Sequence, residues 1–390
     1  MGKQEEGRKN VILLGLTSFL NDFSSEMIMP ILPFFLSSLG ASAVLIGLVG
    51  GLRDSLASVL KFLFGYMSDK AGRRKPFVYG GYLVSALFKL LLAFSPSVLS
   101  AVSSASLERV GKGMRDAPRD AMIGQFMPER SGTGFGLHQM LDTAGAIMGS
   151  LAVLVLVAWL ALDYGMIIVI AAFLAILSIG PLFLVKEPAF KPYRERRGFI
   201  SALATLPRDL KVFILIASLF SLANFSYMFF VLRAGSGGDI VTAIGLYVLF
   251  NIFFALFAYP IGKRADSVGK RRVLICGYVL FALVSLAFVY YSDIYAMILL
   301  FILYGISYAA VKGVERAYVV DMSPSELKGT SLGAFQLVTG LAALPASIVA
   351  GYLWDAFSPE ATFMFGAIVA GAAAALLALL RLKASLTHAS

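Results

Sequence analysis

The chain has 390 residues, of which 59% are hydrophobic and 14% are charged, and its formal net charge at pH 7 is +10. Soluble domains are about 45–50% apolar and about 25% charged, so this composition excludes a soluble globular protein. A single cysteine, Cys276, excludes an internal disulfide and a thiolate metal cluster.

Apolar stretches long enough to cross a bilayer as helices, about 20 residues each, recur along the chain. Backbone amides in hydrocarbon must be hydrogen-bonded within their own segment, and the stretches lack the alternating pattern of a membrane β-barrel. The first stretch is too long for a signal peptide and is interpreted as a retained helix. The pattern predicts twelve transmembrane helices, near 11–37, 43–66, 76–95, 97–122, 134–160, 163–185, 209–232, 240–262, 271–292, 294–321, 329–356 and 361–382.

The basic residues settle the expected topology rather than indicating a nucleic-acid partner. They cluster in every second loop, as at 70–75, 186–197 and 263–272, whereas the opposite loops contain only Arg233. Basic residues concentrate in the cytoplasmic loops of membrane proteins. The sequence therefore predicts a multi-pass protein of the plasma or inner membrane with both termini in the cytoplasm.

Ionisable residues inside predicted helices are costly in a bilayer and are usually paired or functional. Asp22 and Glu26 lie one turn apart on the first helix, and Arg109 lies on the fourth. Two neighbouring carboxylates favour binding of a proton, so these three residues are predicted to form a proton-coupling unit. The alternative is a permanent ion pair that fixes the first helix to the fourth.

The fifth predicted helix contains a second acid–base pair, His138 and Asp142, four residues apart. The carboxylate can fix the imidazole tautomer, and the pair is predicted to take part in proton coupling as a relay. A metal site that also uses Asp22 and Glu26 is one alternative. A structurally satisfied histidine near the cytoplasmic end is the other.

An internal repeat divides the chain. Residues 65–75, after the second helix, match residues 262–272, after the eighth, at an offset of 197, and residues 132–139 match 329–336 at the same offset. The repeat predicts an N-terminal six-helix bundle in 1–185, a cytoplasmic linker in 186–210 and a C-terminal six-helix bundle in 211–390. Parallel six-helix repeats are the plan of one large transporter fold.

The stretch 65–75 resembles the loop 2–3 signature of the major facilitator superfamily (MFS), Gly-x-x-x-Asp-x-x-Gly-Arg-Arg/Lys. The resemblance covers essentially the whole chain. It implies an all-α membrane protein of twelve transmembrane helices, with the two six-helix bundles of the MFS fold related by pseudo-two-fold symmetry. Met29 to Pro33 downstream of Asp22 is closest to the drug:proton antiporter branch, as is the motif 145–150, although Ser150 stands where that branch has proline.

The resemblance also implies a cytoplasmic latch, in which Asp69 meets the N-terminus of the eleventh helix and Asp266 meets that of the fifth. The charged run at 112–120 is interpreted as a gate, with anion binding as a secondary possibility, and Pro118 is expected to kink or end its helix. The alternative for the loop residues is a cluster that merely fixes topology. The predicted gate and latch residues are Gly65, Asp69, Arg73, Arg74, Asp266, Arg271, Arg115, Asp116, Arg119 and Asp120.

Polar residues on several other helices are predicted to line a substrate cavity. Four charged residues of the second and third helices either line that cavity or snorkel to the interface: Arg53, Asp54, Lys61 and Lys89. Aromatic residues 225–230 and 250–254 form an apolar substrate wall or face lipid. The predicted cavity residues are Arg53, Lys112, Asn224, Tyr227, Lys312, Glu315 and Arg316.

These features predict a secondary transporter that works by alternating access, with proton-coupled efflux of an amphipathic compound favoured. The alternative cargo is an organic anion or a metal chelate, bound by Arg53, Arg109 and Lys112. An enzyme is disfavoured because Ser24 or Ser25 beside Glu26 is a poor nucleophile–base pair, and the repeated signature argues against a receptor without transport. The expected partners are a small-molecule substrate, protons and membrane lipids, in a monomer without cofactors or a resident metal.

Overall fold

The computed structural model describes residues 2–127, 131–187, 206–236, 239–324 and 327–379. Regular secondary structure in these ranges is helical throughout, and the predicted all-α membrane fold of two helical bundles is confirmed. In chain order the first helices are α1 (Gly2–Ile28), α2 (Leu32–Ser38), α3 (Ala43–Ala71), α4 (Lys75–Ala93), α5 (Val98–Phe126), α6 (Ser131–Ala158), α7 (Tyr164–Leu177) and α8 (Gly180–Leu184).

The later helices follow the predicted pattern closely. They are α9 (Arg208–Ala223), α10 (Met228–Gly235), α11 (Ile240–Val268), α12 (Lys270–Tyr290), α13 (Ile294–Met322), α14 (Lys328–Ala356) and α15 (Pro359–Leu379). Within the described ranges, 11 helical stretches are long and apolar enough to cross a membrane. The 29-residue α5 also has the length of a membrane span, but its charged run lowers its mean hydropathy. Pro118 lies inside α5 and does not end it, because the helix continues to Phe126.

The chain forms two compact units. Unit 1 comprises 1–41 and 56–194, and unit 2 comprises 42–55 and 195–390, so α3 is divided between them. Most of the predicted linker, 188–205, lies outside the described residues. The extent of that linker therefore stays a prediction.

In unit 1, α1 packs along α6 and α7, and α4 packs along α5 and α7. Gly145 and Gly149 bring the backbones of α1 and α6 together, because a methyl group at either position would overlap the carbonyl oxygen of Phe19 or Phe23. Small residues allow this close approach of helices in lipid.

In unit 2, the first part of α3 packs on α14. A methyl group at Gly51 would lie 2.7 Å from Leu344 Cα, and Ser55 Oγ donates to Gly340 O over 2.6 Å. Asp355 caps α3, since its carboxylate accepts hydrogen bonds from the backbone N–H groups at 43 and 44 over 3.0 and 2.9 Å. A carboxylate at a helix N-terminus satisfies free donors and complements the helix dipole.

The membrane segment at 164–184 is interrupted at 178–179, between α7 and α8. Two further interruptions lie at 29–31, between α1 and α2, and at 224–227, between α9 and α10, and are called the first and the second helix break. Pro30 lacks a backbone donor at the first break. At the second, the Ser226 N–H donates to Ser347 Oγ over 3.1 Å instead of continuing the helix.

Candidate proton and substrate site

Two carboxyl groups meet where α1 packs against α6. The side chains of Asp22 and Asp142 are close enough to interact, and Asn21 Nδ2 donates to Asp22 Oδ1 over 3.3 Å. The contact lies near Gly145 and Gly149, the two glycines at which α6 packs closely against the backbone of α1. A carboxylate is an acceptor only, so two carboxyl groups can hydrogen-bond to each other only when one of them carries a proton. The pair is therefore a candidate site for one shared proton.

Three cations of α5 act on this carboxyl pair. Lys112, Arg115 and Arg119 exert electrostatic attraction on Asp22, and Lys112 and Arg119 also act on Asp142. Loss of the shared proton adds a negative charge to a cluster that already contains these cations. Protonation thus changes the electrostatic attraction between α5 and the α1–α6 pair.

Glu26 lies further along the same interface. Its Cβ lies beside Gly149, and Ser150 Oγ donates to Glu26 Oε2 over 3.5 Å. Ser150, which replaces the proline of the antiporter motif, thus supplies a hydroxyl to this carboxylate. Arg109 Nε lies 3.1 Å from Glu108 Oε2, and a guanidinium NH of Arg109 lies 3.4 Å from Met29 Sδ. The joint coupling role of Asp22, Glu26 and Arg109 stays a prediction.

His138 belongs to a buried polar network. Its Nε2 lies 2.8 Å from Ser18 Oγ, which also contacts Tyr82 OH at 3.0 Å and accepts from Arg119 at 3.1 Å. Asp142, four residues on, is engaged with Asp22. In the described part of the chain, no three His, Cys, Asp or Glu side chains are grouped as metal ligands. These contacts favour the satisfied histidine over the metal site, and the relay stays a prediction.

The predicted gate on α5 is a network of ion pairs. Arg119 lies 3.6 Å from Asp116, as the i,i+3 spacing predicts, and 3.0 Å from Asp120, which also lies 3.9 Å from Lys61. Arg115 is buried and donates to Ser85 Oγ over 2.6 Å. The charges of this run are therefore largely compensated within unit 1.

Lys89 is predicted either to line the cavity or to snorkel, and its buried surroundings exclude snorkelling. The side chain is 2% exposed, and its Nζ donates to Ser24 Oγ and Ser25 Oγ over 2.9 Å each and to Asn21 O over 3.4 Å. Its ammonium thus holds the turn of α1 that contains Asp22. The sequence contains a signal for it, since a lysine within an apolar helix requires hydrogen-bonding partners and adjacent serines on α1 supply them.

The first copy of the loop signature forms contacts within unit 1. Arg74 lies 2.9 Å from Asp69 and donates to Ala121 O over 3.3 Å, whereas Arg73 is exposed. A methyl group at Gly65 would lie 3.1 Å from Ala117 Cβ, which agrees with close packing of α3 on α5. The latch contact between Asp69 and the eleventh predicted transmembrane helix, which corresponds to α14, stays a prediction.

The second copy forms different contacts within unit 2. Lys270 bridges Asp266 at 3.2 Å and Asp321 at 2.6 Å. The Arg271 guanidinium donates to Leu377 O over 2.9 Å and 3.1 Å. These contacts attach the start of α12 to α13 and α15. The latch contact between Asp266 and the fifth predicted transmembrane helix, which corresponds to α6, stays a prediction.

The predicted cavity residues of unit 2 differ in their exposure. Arg53 and Glu315 are buried, Lys312 and Arg316 are exposed, and Asn224 is half-buried at the second helix break. Tyr278 OH donates to Glu315 Oε1 over 2.6 Å, and Lys312 Nζ lies 5.0 Å from the centroid of the Tyr308 ring. Tyr227 packs 5.4 Å from the Tyr247 ring.

The aromatic residues of α10 and α11 form an interior cluster. Phe225, Phe229, Phe230 and Phe250 are buried, and Phe230 stacks on Tyr304 at 4.2 Å. The alternative prediction, that these aromatic residues face lipid, is therefore wrong for these four phenylalanines. They build the core of unit 2 beside the second helix break.

Comparison with known proteins agrees with this architecture. Residues 14–236 and 235–389 match the family profile of the Major Facilitator Superfamily. An uncharacterized MFS-type transporter of Methanocaldococcus jannaschii is 49% identical over 369 residues, covering 93% of this chain and 92% of the relative. Multidrug resistance protein MdtH of Aeromonas hydrophila is 24% identical over 351 residues, covering 88% of this chain and 87% of that protein.

Solved structures share the fold at low sequence identity. A mutant of the nucleoside transporter NupG aligns with a TM-score of 0.81 at 16% identity, covering 95% of this chain and 99% of NupG. The human organic anion transporter MFSD10 aligns with a TM-score of 0.69 at 18% identity, covering 95% and 99%. With the helical bundles and the family profile matched over nearly the whole chain, this protein belongs to the major facilitator superfamily of multi-pass membrane transporters.

Proposed function

We propose that this transporter couples inward proton movement to the export of an amphipathic small molecule. The observation that carries the proposal is the contact between Asp22 and Asp142, with three cations of α5 around it. A carboxyl pair that holds one proton is suited to bind and release it as access alternates between the two sides of the membrane.

The coupling arises because the protonation state of the carboxyl pair changes its attraction to the cations of α5. When the pair loses its proton, its attraction to Lys112 and Arg119 increases, and the packing of α5 on α1 and α6 is strengthened. When the pair is protonated, that attraction weakens. A transporter in which the two protonation states favour different arrangements of these helices converts a proton gradient into directed transport.

The apolar part of the cargo is assigned to unit 2. Asn224 and Tyr227 lie at the helix break, where interrupted helices commonly bind substrates in transporters. The adjoining aromatic cluster supplies an apolar surface, and Tyr308 adds a partly exposed ring. The multidrug resistance name of the Aeromonas hydrophila relative supports efflux of an amphipathic compound.

Transport by purified protein in proteoliposomes tests the coupling. Uptake of ethidium and of a rhodamine dye is measured under an imposed proton gradient, and dye exchange is measured without one. Asp22→Asn and Asp142→Asn are expected to abolish gradient-driven accumulation while exchange continues. The matched control is Asp163→Asn, which changes an exposed helix cap that asparagine can also provide. Accumulation by the Asp22→Asn variant at the unaltered rate would refute the coupling role.

A second candidate cargo is an organic anion or a metal chelate. It is supported by the buried Arg53. Arginine binds carboxylates through paired hydrogen bonds. Stabilisation of the purified protein by citrate or ferric citrate, lost in Arg53→Ala, would favour this cargo, whereas stabilisation by the dyes alone would favour the first.

The setting of this activity is part of the same proposal. We place the protein in the plasma or inner membrane as a monomer in contact with lipid, with both termini in the cytoplasm, because basic loop residues concentrate on that side. The two signature loops then lie on the cytoplasmic side, where Asp69 and Asp266 are proposed to close the transport path.

A further inference from the structure

We propose that Glu315 is a second proton-binding site, located in unit 2 and separate from the Asp22–Asp142 pair. The proposal rests on the proposed proton coupling only for its role in transport. The site itself is argued from unit 2 alone. Glu315 is 8% exposed and accepts a 2.6 Å hydrogen bond from the hydroxyl of Tyr278, which is fully buried.

The length of this hydrogen bond is informative. Hydrogen bonds from a hydroxyl to a carboxylate are typically about 2.5–2.7 Å long and are stronger than those between neutral groups. The phenol can donate to the ionised carboxylate, and it can equally donate to the carbonyl oxygen of the protonated acid. Tyr278 therefore satisfies Glu315 in both protonation states, as a site that repeatedly gains and loses a proton requires.

The charges around Glu315 are few and come from two helices. In the described part of the chain, the ionisable groups acting on it are Tyr278 of α12 and Lys312 and Arg316 of its own helix, α13. The adjoining helix α9 contributes Phe220 to the packing around the phenol. The two cations that act on Glu315 both lie on its own helix, α13.

Two cations flank the buried carboxyl on its own helix. Lys312 and Arg316 are exposed and flank Glu315 at i−3 and i+1 on α13. Lys312 lies over the Tyr308 ring and is also attracted by Asp54 of α3. Because Lys312 has these other partners and forms no salt bridge with Glu315, it does not hold that carboxyl as a permanent ion pair.

The site is connected to the helix break by direct packing. The Tyr278 ring stacks on Phe220 with centroids 3.9 Å apart and ring planes within 5° of parallel. Phe220 O accepts the backbone N–H of Asn224, the first residue of the break between α9 and α10. A change in the Glu315–Tyr278 hydrogen bond therefore acts on the residue that ends α9, where the proposed substrate site begins.

Infrared difference spectroscopy of the purified, full-length transporter in lipid nanodiscs tests the site without any substrate. Spectra at acidic and alkaline pH are compared in the carbonyl region of protonated carboxyl groups. Glu315→Gln is expected to remove one titrating band. Tyr278→Phe is expected to keep that band but shift it to the higher frequency of a carbonyl without its hydrogen bond. Matched controls are Glu5→Gln and Tyr259→Phe, which alter exposed residues.

The outcomes separate the site from the proposed function. Loss of one band in Glu315→Gln, with that band retained in Asp22→Asn, establishes the second site even if no dye is transported. A folded Glu315→Gln variant with an unchanged difference spectrum overturns it, whatever the proteoliposome assay shows. If the band is present, Glu315→Gln is also expected to change the pH profile of dye accumulation, and an unchanged profile would refute its role in transport.

Discussion

Substitution of a glycine in the motif at 145–149 tests whether the proposed proton site depends on the close packing of α1 and α6. In Gly145→Ala, the added methyl group overlaps the carbonyl oxygen of Phe19, which is backbone and cannot rotate away. One helix must shift along the whole contact. Because Asp22 and Asp142 face each other across this interface, the same shift separates the two carboxyl groups.

The cost can be isolated with a matched glycine of the same helix. Overpacking typically costs roughly 1–3 kcal/mol. Alanine also gains about 0.5–1 kcal/mol over glycine inside a helix. Gly136 also lies on α6, and no atom lies within 4 Å of the position that a methyl group would take there, so Gly136→Ala receives the propensity gain without the clash. The two variants should therefore differ in stability by roughly the overpacking cost, 1–3 kcal/mol.

Thermal unfolding of the two purified variants in the same detergent measures this difference. At about 2–4 °C per kcal/mol, Gly145→Ala should melt several degrees below Gly136→Ala. Gradient-driven dye accumulation should fall in Gly145→Ala and persist in Gly136→Ala. Equal melting temperatures, or full accumulation by a destabilised Gly145→Ala, would refute the dependence of the proton site on this helix contact.

Two further predictions concern buried or capping charges. Lys89→Met keeps the side-chain length but removes the hydrogen bonds of the ammonium, so the free energy of unfolding should fall by about 1.5–3 kcal/mol, whereas the exposed Lys70→Met should change it little. Similar melting temperatures for the two lysine variants would contradict this. Asp355→Ala leaves the first amides of α3 without their cap, at a cost of about 0.5–2 kcal/mol, and should speed hydrogen exchange at 43–44, whereas Asp355→Asn should retain most of the protection. Unchanged exchange in the alanine variant would exclude the capping role.

The positions of the membrane helices can be predicted from the sequence because the hydrocarbon of the bilayer constrains each segment locally. Apolar length and backbone satisfaction determine a membrane helix almost independently of its neighbours. Predicted segments such as 271–292 and 294–321 therefore agree closely with α12 and α13. The interruption at 224–227 is harder to foresee, because it contains no proline and depends on Ser347, more than 100 residues away in the chain.

Side-chain partners can be predicted only when they lie on the same helix. The pair Arg119 and Asp116 follows from i,i+3 spacing and is present. The same rule pairs Asp22 with Glu26 and His138 with Asp142, whereas the structure joins Asp22 to Asp142 across two helices. Helical spacing gives the face on which a side chain lies, but the rotation and register of the opposing helix decide what it meets.

The two carboxyl sites differ in a way that bears on how protons are used. In the proposed mechanism Asp22 and Asp142 share one proton, so losing that proton would also break the hydrogen bond between α1 and α6. Glu315 instead keeps a hydroxyl donor in either state, so its charge can change while α12 and α13 remain joined. Titration at the first site therefore changes helix contacts directly. Titration at the second changes local charge beside Lys312 and Arg316 and acts on α9 through the stacked ring of Phe220. On this reasoning, the carboxyl pair drives the structural transition, and Glu315 adjusts the environment in which the cargo binds.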